Sequence, residues 1–385
     1  MASTAIEEPT TTDRPGAEEP AAKPRRGRGG ALKFSGRDKL IFGLMIGVPT
    51  AVHVLLVWIP TLGSILLSFT DWNGIRFSDL NFVGLENYNQ IVTVFEKDFF
   101  QALINNAVLM LFLFIGPTTL GMFLAYLLDK EMKGTRIYQS LFYTPVVLSL
   151  AVVGFIWKSV MYSPKQGFAT EAVNALGGSG GEIDWIGNQA FFSFPGTLAV
   201  LGILFLIIAG GVHLFFRNPI ATGIVAGIGL LVLVFSFTTD AQPEYGISKN
   251  FAAILVAIAW RHTGYIMVLY LAGMKSVDQS LRESAALDGC NEWQSFRHVL
   301  FPTLKPINVV VAVITVIEAL RAFDIIFALN KPRKTEVLSI LVTNNLLGEG
   351  GGNVGRGSAY AVILFLLCLA FVIWYVTNHF RASDL

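Results

Sequence analysis

Long runs of apolar residues dominate the chain and alternate with shorter polar stretches. A helix needs about 18 or more mainly apolar residues to cross a membrane. Ten-residue strands of alternating polarity, typical of a membrane barrel, are not found. Eight runs reach the helical length: 40–68, 104–128, 140–160, 196–216, 220–238, 251–273, 306–328 and 358–380. The pattern predicts an all-α integral membrane protein with eight transmembrane helices.

The composition also favours a membrane protein over a soluble one. Of the 385 residues, 53% are hydrophobic and 14% are charged, whereas a soluble domain carries about 25% charged residues. A soluble chain of this length would need more polar surface to cover itself. Outside the N-terminal tail the sequence has no basic stretch that would form a face, so we expect no nucleic-acid partner.

Patterns typical of catalytic, metal or nucleotide sites are not evident. Cys290 and Cys368 lie in segments of different polarity, which argues against a disulfide framework, and no Cys/His spacing resembles a metal site. The run 350–355 fits G-x-G-x-x-G but follows no strand, and a Gly-x4-Gly-Lys-Ser/Thr sequence is absent. We therefore expect no catalytic residue, no metal and no nucleotide bound by this chain.

The charge pattern predicts the orientation. Residues 1–39 combine an acidic tract with a basic run at 23–28 and are predicted to be a disordered tail. A secretory leader is disfavoured, because the apolar run that follows is longer than that of a signal peptide. With the tail inside, inner segments carry about twice as many Lys and Arg residues as outer loops. Both termini and the loop 274–305 are then cytoplasmic, and membrane lipid surrounds the spans.

The loop 274–305 is the longest polar stretch on the predicted inner side. Asp278 is predicted to be an N-cap and Gly289 a left-handed residue after the helix, so we predict one helix over 279–288. A second helix is predicted over 291–300, stopped by Pro302. Ala285 and Ala286 lack bulk, so another protein surface could approach the first helix. The residues alone are equally consistent with an amphipathic loop on the membrane surface.

The same loop resembles the EAA loop of ABC importer permeases. In that family Glu-Ala-Ala is followed by three residues, Gly, nine residues and Ile-x-Leu-Pro. Glu283, Ala285, Gly289 and Pro302 occupy the matching positions. Ser284 replaces an alanine, Val299 an isoleucine and Phe301 a leucine, which preserves small or apolar character. The resemblance implies that Glu283, Ser284, Ala285, Gly289 and Pro302 belong to a loop that couples the membrane domain to an ATPase.

Further stretches resemble the carbohydrate branch of this family, whose permeases usually have six spans. These stretches are 68–72, 82–88, 143–145, 154–158, 323–324 and 357–361. One departure is the outer loop at 331–335, which lacks the Gly-Gly-Pro often found there. The larger departure is residues 191–248, which contain two additional apolar segments.

The resemblance therefore divides the chain into a tail (1–39), three helices with outer loops (40–190), an inserted transmembrane hairpin (191–248) and three last helices (249–385). An even number of added helices keeps the 274–305 loop inside. His213 and Arg217 are the only residues of 196–238 that can be positively charged, and the hairpin contains no acidic residue in that range. We expect the hairpin to face lipid at the periphery.

The resemblance also implies a function. The chain would be a permease subunit of a carbohydrate ABC importer of the maltose type, in the plasma membrane of a prokaryote. Its partners would be a second permease subunit, two ATP-binding subunits and an extracellular sugar-binding protein. ATP and magnesium would bind to the ATPase subunits and not to this chain.

Ionisable residues inside predicted spans are candidates for a translocation pathway, because they are costly in lipid. Glu318, Arg321 and Asp324 follow at i,i+3 spacing and would form one polar stripe on a helix. Trp260, Tyr265 and Phe323 could stack on sugar rings, while the stripe would bond sugar hydroxyls. Arg261 and His262 also lie within a span. Ion pairs that only hold the helices together are the alternative interpretation.

Two other functions compete with the importer. A membrane-embedded transferase acting on a lipid-linked sugar would need acid, base or metal-binding residues clustered at one membrane face. A secondary transporter would show matching halves with interrupted helices. Neither pattern is evident in the sequence.

Overall fold

The computed structural model describes residues 35–130, 133–176, 181–187, 246–329, 335–348 and 352–380, together with single positions between 202 and 234. The chain divides into two compact units, Met1–Ile59 and Pro60–Leu385. Most of the predicted tail 1–39 and most of the predicted hairpin 191–248 lie outside the described residues. The count of eight transmembrane helices therefore stays a prediction.

Regular structure in the described ranges is helical, and β-structure there is limited to isolated bridges such as Thr70 with Phe82. This confirms the predicted all-α class. The α-helices are α1 (Gly36–His53), α2 (Ile59–Leu67), α3 (Glu86–Thr93), α4 (Glu96–Ile115), α5 (Pro117–Asp129), α6 (Thr135–Val147), α7 (Leu150–Phe155), α8 (Phe168–Ala175), α9 (Lys249–Lys275), α10 (Gln279–Leu287), α11 (Glu292–Ser295), α12 (Phe301–Thr303), α13 (Lys305–Leu320), α14 (Asp324–Leu329), α15 (Leu338–Leu347) and α16 (Val354–Phe380). The remaining turns are π-helical at Val54–Trp58, Ile156–Met161 and Phe296–Leu300, and 3-10 at Phe77–Asp79.

Four helices are long and apolar enough to cross a membrane: Gly36–Leu67, Glu96–Asp129, Lys249–Lys275 and Val354–Ile373. They correspond to four of the predicted runs. Two more candidates are bent pairs: Thr135–Val147 with Leu150–Met161, at 99°, and Glu292–Thr303 with Lys305–Leu320, at 72°. If each bent pair is one span, the described residues contain up to six.

The predicted runs 140–160 and 306–328 are interrupted rather than continuous. In the first run, Leu148 is extended, and the Ser149 hydroxyl begins α7 by accepting a hydrogen bond from the amide of Val152 at 3.3 Å. A serine cap of this kind starts a new helix. The second run breaks at Arg321, after α13 has ended at Leu320. Apolar length predicted these segments but not their breaks.

Helix α9 is the centre of the second unit and packs closely along α5 and α6. Two glycines allow this approach. A Cβ atom on Gly121 of α5 would lie 2.9 Å from the carbonyl oxygen of Thr263, and one on Gly264 of α9 would overlap the carbonyl oxygen of Phe142. Small residues at helix contacts of membrane proteins allow backbones to approach in this way.

We expect Gly264→Val to disrupt this packing, because the side chain would occupy the space of the Phe142 carbonyl. Overpacking typically costs about 1–3 kcal/mol, and more where backbone must move. The thermal midpoint of the detergent-solubilised protein should fall by several degrees, as followed by intrinsic fluorescence. Gly63→Val is the matched control, since no atom lies within 4 Å of a Cβ on Gly63. Equal midpoints for the two variants would contradict the close crossing.

Buried amide side chains on α4 bind the backbone of other segments. Gln101 donates to the carbonyl oxygen of Gly246 at 2.7 Å and accepts from its amide at 3.1 Å. Asn106 donates to the carbonyl oxygen of Ala319 at 2.9 Å and accepts from the amide of Leu338 at 2.9 Å. These backbone groups lie outside regular helical bonding or at helix ends, where a buried polar group needs a partner. The polar residues in this apolar helix are therefore structural.

The described residues just before the predicted hairpin and those at its C-terminal end belong to the helical core. On one side, the Trp185 indole donates to the Thr170 hydroxyl at 2.8 Å. On the other side, Gly246 is bound by Gln101, Ile247 is buried, and Ser248 is fully buried. Ile186 and Ile247 pack against the same hydrophobic cluster. Residues 246–248 therefore pack with the core, while the hairpin 191–248 and its boundaries stay a prediction.

Candidate functional site

The loop 274–305, named the Glu283 segment from here on, begins with a short capped helix. The Asp278 carboxylate accepts a hydrogen bond from the amide of Ser280 at 2.9 Å, and this bond holds the pKa of Asp278 below its usual value. Helix α10 then runs to Leu287. Gly289 follows with φ of +77°, in the left-handed region. The predicted cap and the predicted conformation of Gly289 are both confirmed.

The second half of the segment starts with a reciprocal cap. Asn291 accepts from the amide of Gln294 at 2.8 Å, and the Gln294 side chain accepts from the amide of Asn291 at 2.9 Å. The prediction that Pro302 stops this helix at residue 300 was wrong. After a π-helical turn the helix continues through Pro302 to Thr303, and the chain bends by 72° before α13.

Exposure divides the side chains of α10 into two faces. Glu283, Ser284 and Ala286 are exposed, and Leu287 is 88% exposed. Ala285 is buried at 5% exposure, so it packs against its own chain. The expectation that both alanines present a low outer surface is thus correct only for Ala286. The exposed face offers a carboxylate, a hydroxyl and an apolar side chain to a partner.

Two ion pairs connect the Glu283 segment to the end of α5. Arg282 pairs with Asp129, and Glu292 pairs with Lys130. The partners in each pair are more than 150 positions apart in sequence, at separations of 153 and 162 residues. Sequence reasoning did not assign Arg282 or Asp129 a role. Only the presence of a charge at the end of an apolar helix could have drawn attention to Asp129.

A second polar site lies between α9 and α13. The Glu318 carboxylate contacts the Arg261 guanidinium at 3.3 Å and Nδ1 of His262 at 2.6 Å. Nε2 of His262 lies 3.3 Å from the hydroxyl of Thr315. His262 is 1% exposed, so its polar atoms depend on these protein partners. Sequence reasoning noted Arg261 and His262 within a span but did not identify Glu318 as their shared partner.

Beside this cluster is a cavity of about 230 Å³. Its lining combines charged, aromatic and aliphatic side chains: Leu150, Ile258, Arg261, Ile317, Glu318, Arg321, Ala322, Phe323, Asp324, Ile325 and Ile326. Four of the six predicted pathway residues line it, namely Glu318, Arg321, Phe323 and Asp324. Trp260 does not line it and instead packs edge-on against Trp157, with ring centroids 5.9 Å apart. Tyr265 also lies elsewhere, packed against a second hydrophobic cluster.

The predicted stripe of Glu318, Arg321 and Asp324 on one helix was wrong. Glu318 is in α13, Arg321 follows the end of that helix, and Asp324 begins α14. The three residues meet at the cavity because the chain turns there. Among the described residues, only Glu318 of the three takes part in an ion pair, while Arg321 and Asp324 are exposed. The site can therefore offer both a cation and an anion to a bound polar molecule.

Comparison with known proteins gives a consistent result. Residues 118–383 match the family described as the binding-protein-dependent transport system inner membrane component. A probable ABC transporter permease protein of Pyrococcus horikoshii is 27% identical, with 89% of this chain and 94% of that protein covered. The xylose/arabinose import permease protein of Haloferax volcanii is 25% identical, with 88% of each covered.

Two further similarities extend over most of the chain. The trehalose/maltose transport system permease protein of Thermococcus litoralis is 25% identical, with 89% of this chain and 95% of that protein covered. Among solved structures, a chain of a bacterial ABC transporter involved in the import of the acidic polysaccharide alginate superposes with a TM-score of 0.62 at 17% identity. That superposition covers 90% of this chain and 96% of the other, and it supports the fold.

Proposed function

The chain belongs to the binding-protein-dependent transport system inner membrane component family, and we propose that it forms half of the pathway of an ATP-driven importer of a sugar or oligosaccharide. Similarity over at least 88% of the chain to two permeases named for sugars carries the proposal. The cavity beside Glu318 suits such a cargo. Carboxylate and guanidinium groups bond hydroxyls, and the Phe323 ring can lie against a sugar face.

The partners of this family are a binding protein and ABC subunits. We propose a second permease subunit to complete the pathway, two ATP-binding subunits and an extracellular sugar-binding protein. ATP and magnesium would bind to the ATP-binding subunits, which would carry out the hydrolysis. With both termini cytoplasmic, the exposed Glu283, Ser284 and Leu287 would contact an ATP-binding subunit, and Gly289 and Pro302 would set the shape of the segment.

The function is tested by reconstituting the chain with the products of its neighbouring genes in lipid vesicles. Uptake of a panel of radiolabelled mono-, di- and oligosaccharides would be measured with and without ATP and the binding protein. We expect one of these sugars to accumulate only when both are present. Uptake or sugar transfer by the isolated chain would contradict the importer. If the complex took up only a compound that is not a sugar, the proposal of a sugar cargo would be contradicted.

The hairpin is expected to be dispensable for part of the activity. Since 246–248 belong to the core, the deletion should remove 191–245 and join the ends by a short Gly/Ser linker. Both ends pack on one hydrophobic cluster through Ile186 and Ile247, so a short linker should suffice. We expect the assembled complex to retain measurable sugar uptake. Complete loss of uptake in an intact complex would contradict a peripheral hairpin.

A further inference from the structure

We infer that a partly buried ion-pair bridge between Arg282 and Asp129 transmits movement of the Glu283 segment to helices α5 and α9. The inference rests on the proposed function, in which an ATP-binding subunit moves this segment. It assigns Arg282 and Asp129 as positioning residues, since both act through the helices that they join. The main observation that supports it is the set of hydrogen bonds made by the Arg282 guanidinium group.

The Arg282 guanidinium joins three helices. Arg282 lies in the middle of α10 and donates from Nη1 to the carboxylate of Asp129, the last residue of α5. From Nη2 it donates to the carbonyl oxygen of Met274, in the last turn of α9, at 2.7 Å. The planar guanidinium presents several donors in a fixed geometry, so it can hold both partners at once. A lysine has one ammonium group and cannot reproduce this fork.

Burial distinguishes this bridge from the other ion pair of the segment. The Asp129 side chain is 7% exposed, so its charge depends on Arg282 for compensation. Glu292, in contrast, is 75% exposed, and its pair with Lys130 is screened by solvent. The Arg282–Asp129 pair is therefore the connection that should resist a pulling or tilting movement.

Open space lies beside the bridge. A cavity of about 300 Å³ lies on one side, lined in part by Tyr126, Ala286 and Ser295. Another of about 540 Å³ is lined in part by Val277 and Gln279. Both cavities include Asp129 and Arg282 in their lining. The bridge thus connects α10 to α5 across a region that leaves room for relative movement.

Beyond the bridge, α5 and α9 form a tightly packed pair that would move together. Ala125 and Leu128 of α5 belong to one buried cluster with Tyr270 and Met274 of α9. A displacement of Arg282 would therefore act on both helices at the same end. Two rival routes exist: the apolar packing of Phe296, Leu300 and Leu304 in the same buried cluster, and the chain itself, through the bent end of the segment into α13.

The test uses complete complexes reconstituted in vesicles, with sugar uptake and ATP hydrolysis measured on the same samples. The variants are Arg282→Lys, Arg282→Gln and Asp129→Asn, with the double exchange of Asp129→Arg and Arg282→Asp as the rescue. We expect each single variant to lower the ratio of sugar imported to ATP hydrolysed by about fivefold or more, while the ATPase subunits stay bound. The double exchange should restore part of this loss.

A matched control is Glu182→Gln, which removes the exposed pair with Lys165 at 3.2 Å and should leave the ratio unchanged. Wild-type ratios in all bridge variants would overturn the inference, as would equal losses in Glu182→Gln.

Hydrogen–deuterium exchange of the same complexes tests the Arg282–Asp129 bridge independently of which compound is transported. Bridge variants should exchange faster than wild type in 279–287, and unchanged exchange would overturn the bridge. A wild-type complex that imports no sugar, with this exchange effect intact, would contradict only the proposed function.

Discussion

Gly289→Val should uncouple ATP hydrolysis from sugar uptake while the membrane helices remain assembled. Gly289 has φ of +77°, a conformation that costs a β-branched residue about 1–3 kcal/mol. A Cβ atom at this position would meet no atom within 4 Å, so the strain is in the backbone and not in a clash. Relief of the strain would reorient α10 and its exposed Glu283 and Leu287 relative to an ATP-binding subunit.

The replacements at Gly289 can be graded to isolate this cause. Asparagine tolerates the left-handed region, so Gly289→Asn should retain most coupling, and Gly289→Ala should be intermediate. Sugar uptake and sugar-stimulated ATP hydrolysis would be measured on reconstituted complexes with equal ATPase occupancy. We expect the valine variant to lose about fivefold or more in uptake per ATP. Equal coupling in the valine and asparagine variants would refute the role of the left-handed conformation.

The sequence predicted those features of the Glu283 segment that neighbouring residues determine. The Asp278 cap and the Gly289 turn each depend on positions within a few residues, where side chain and backbone must meet. Burial of Ala285 and the pairing of Arg282 with Asp129 depend on how distant segments pack. The last two residues are 153 positions apart, and a charge alone does not identify its partner.

A similar limit applies to the membrane helices. The apolar runs predicted where helices lie, because length and apolar character are local properties. The interruptions at Leu148 and Arg321 were missed, since both positions lie in runs that are apolar on average. The buried amides of α4 explain how such interruptions persist. Asn106 donates to the carbonyl oxygen of Ala319, just before the break at Arg321, and this compensation is visible only in three dimensions.

Removing the Glu318 carboxylate should destabilise the protein more than removing any other cavity-lining charge. Glu318→Ala would strand Arg261 and the 1%-exposed His262, both of which face this carboxylate. Breaking a buried charge pair by removing one partner costs about 3–5 kcal/mol. We expect a clear fall in the thermal midpoint of the solubilised complex, together with loss of assembled protein.

Arg321→Ala is the comparison that distinguishes a residue that holds the helices together, such as Glu318, from one that contacts the cargo. Arg321 lines the same cavity but is exposed and has no ion pair among the described residues. Its removal should leave the thermal midpoint near that of the wild type and lower sugar uptake. Glu318→Gln should fall between the two in stability, because the amide can still bond His262 but no longer balances the charge of Arg261. If Arg321→Ala were the more destabilising change, Arg321 would have to take part in an ion pair that holds the helices together, and the cluster centred on Glu318 would be refuted.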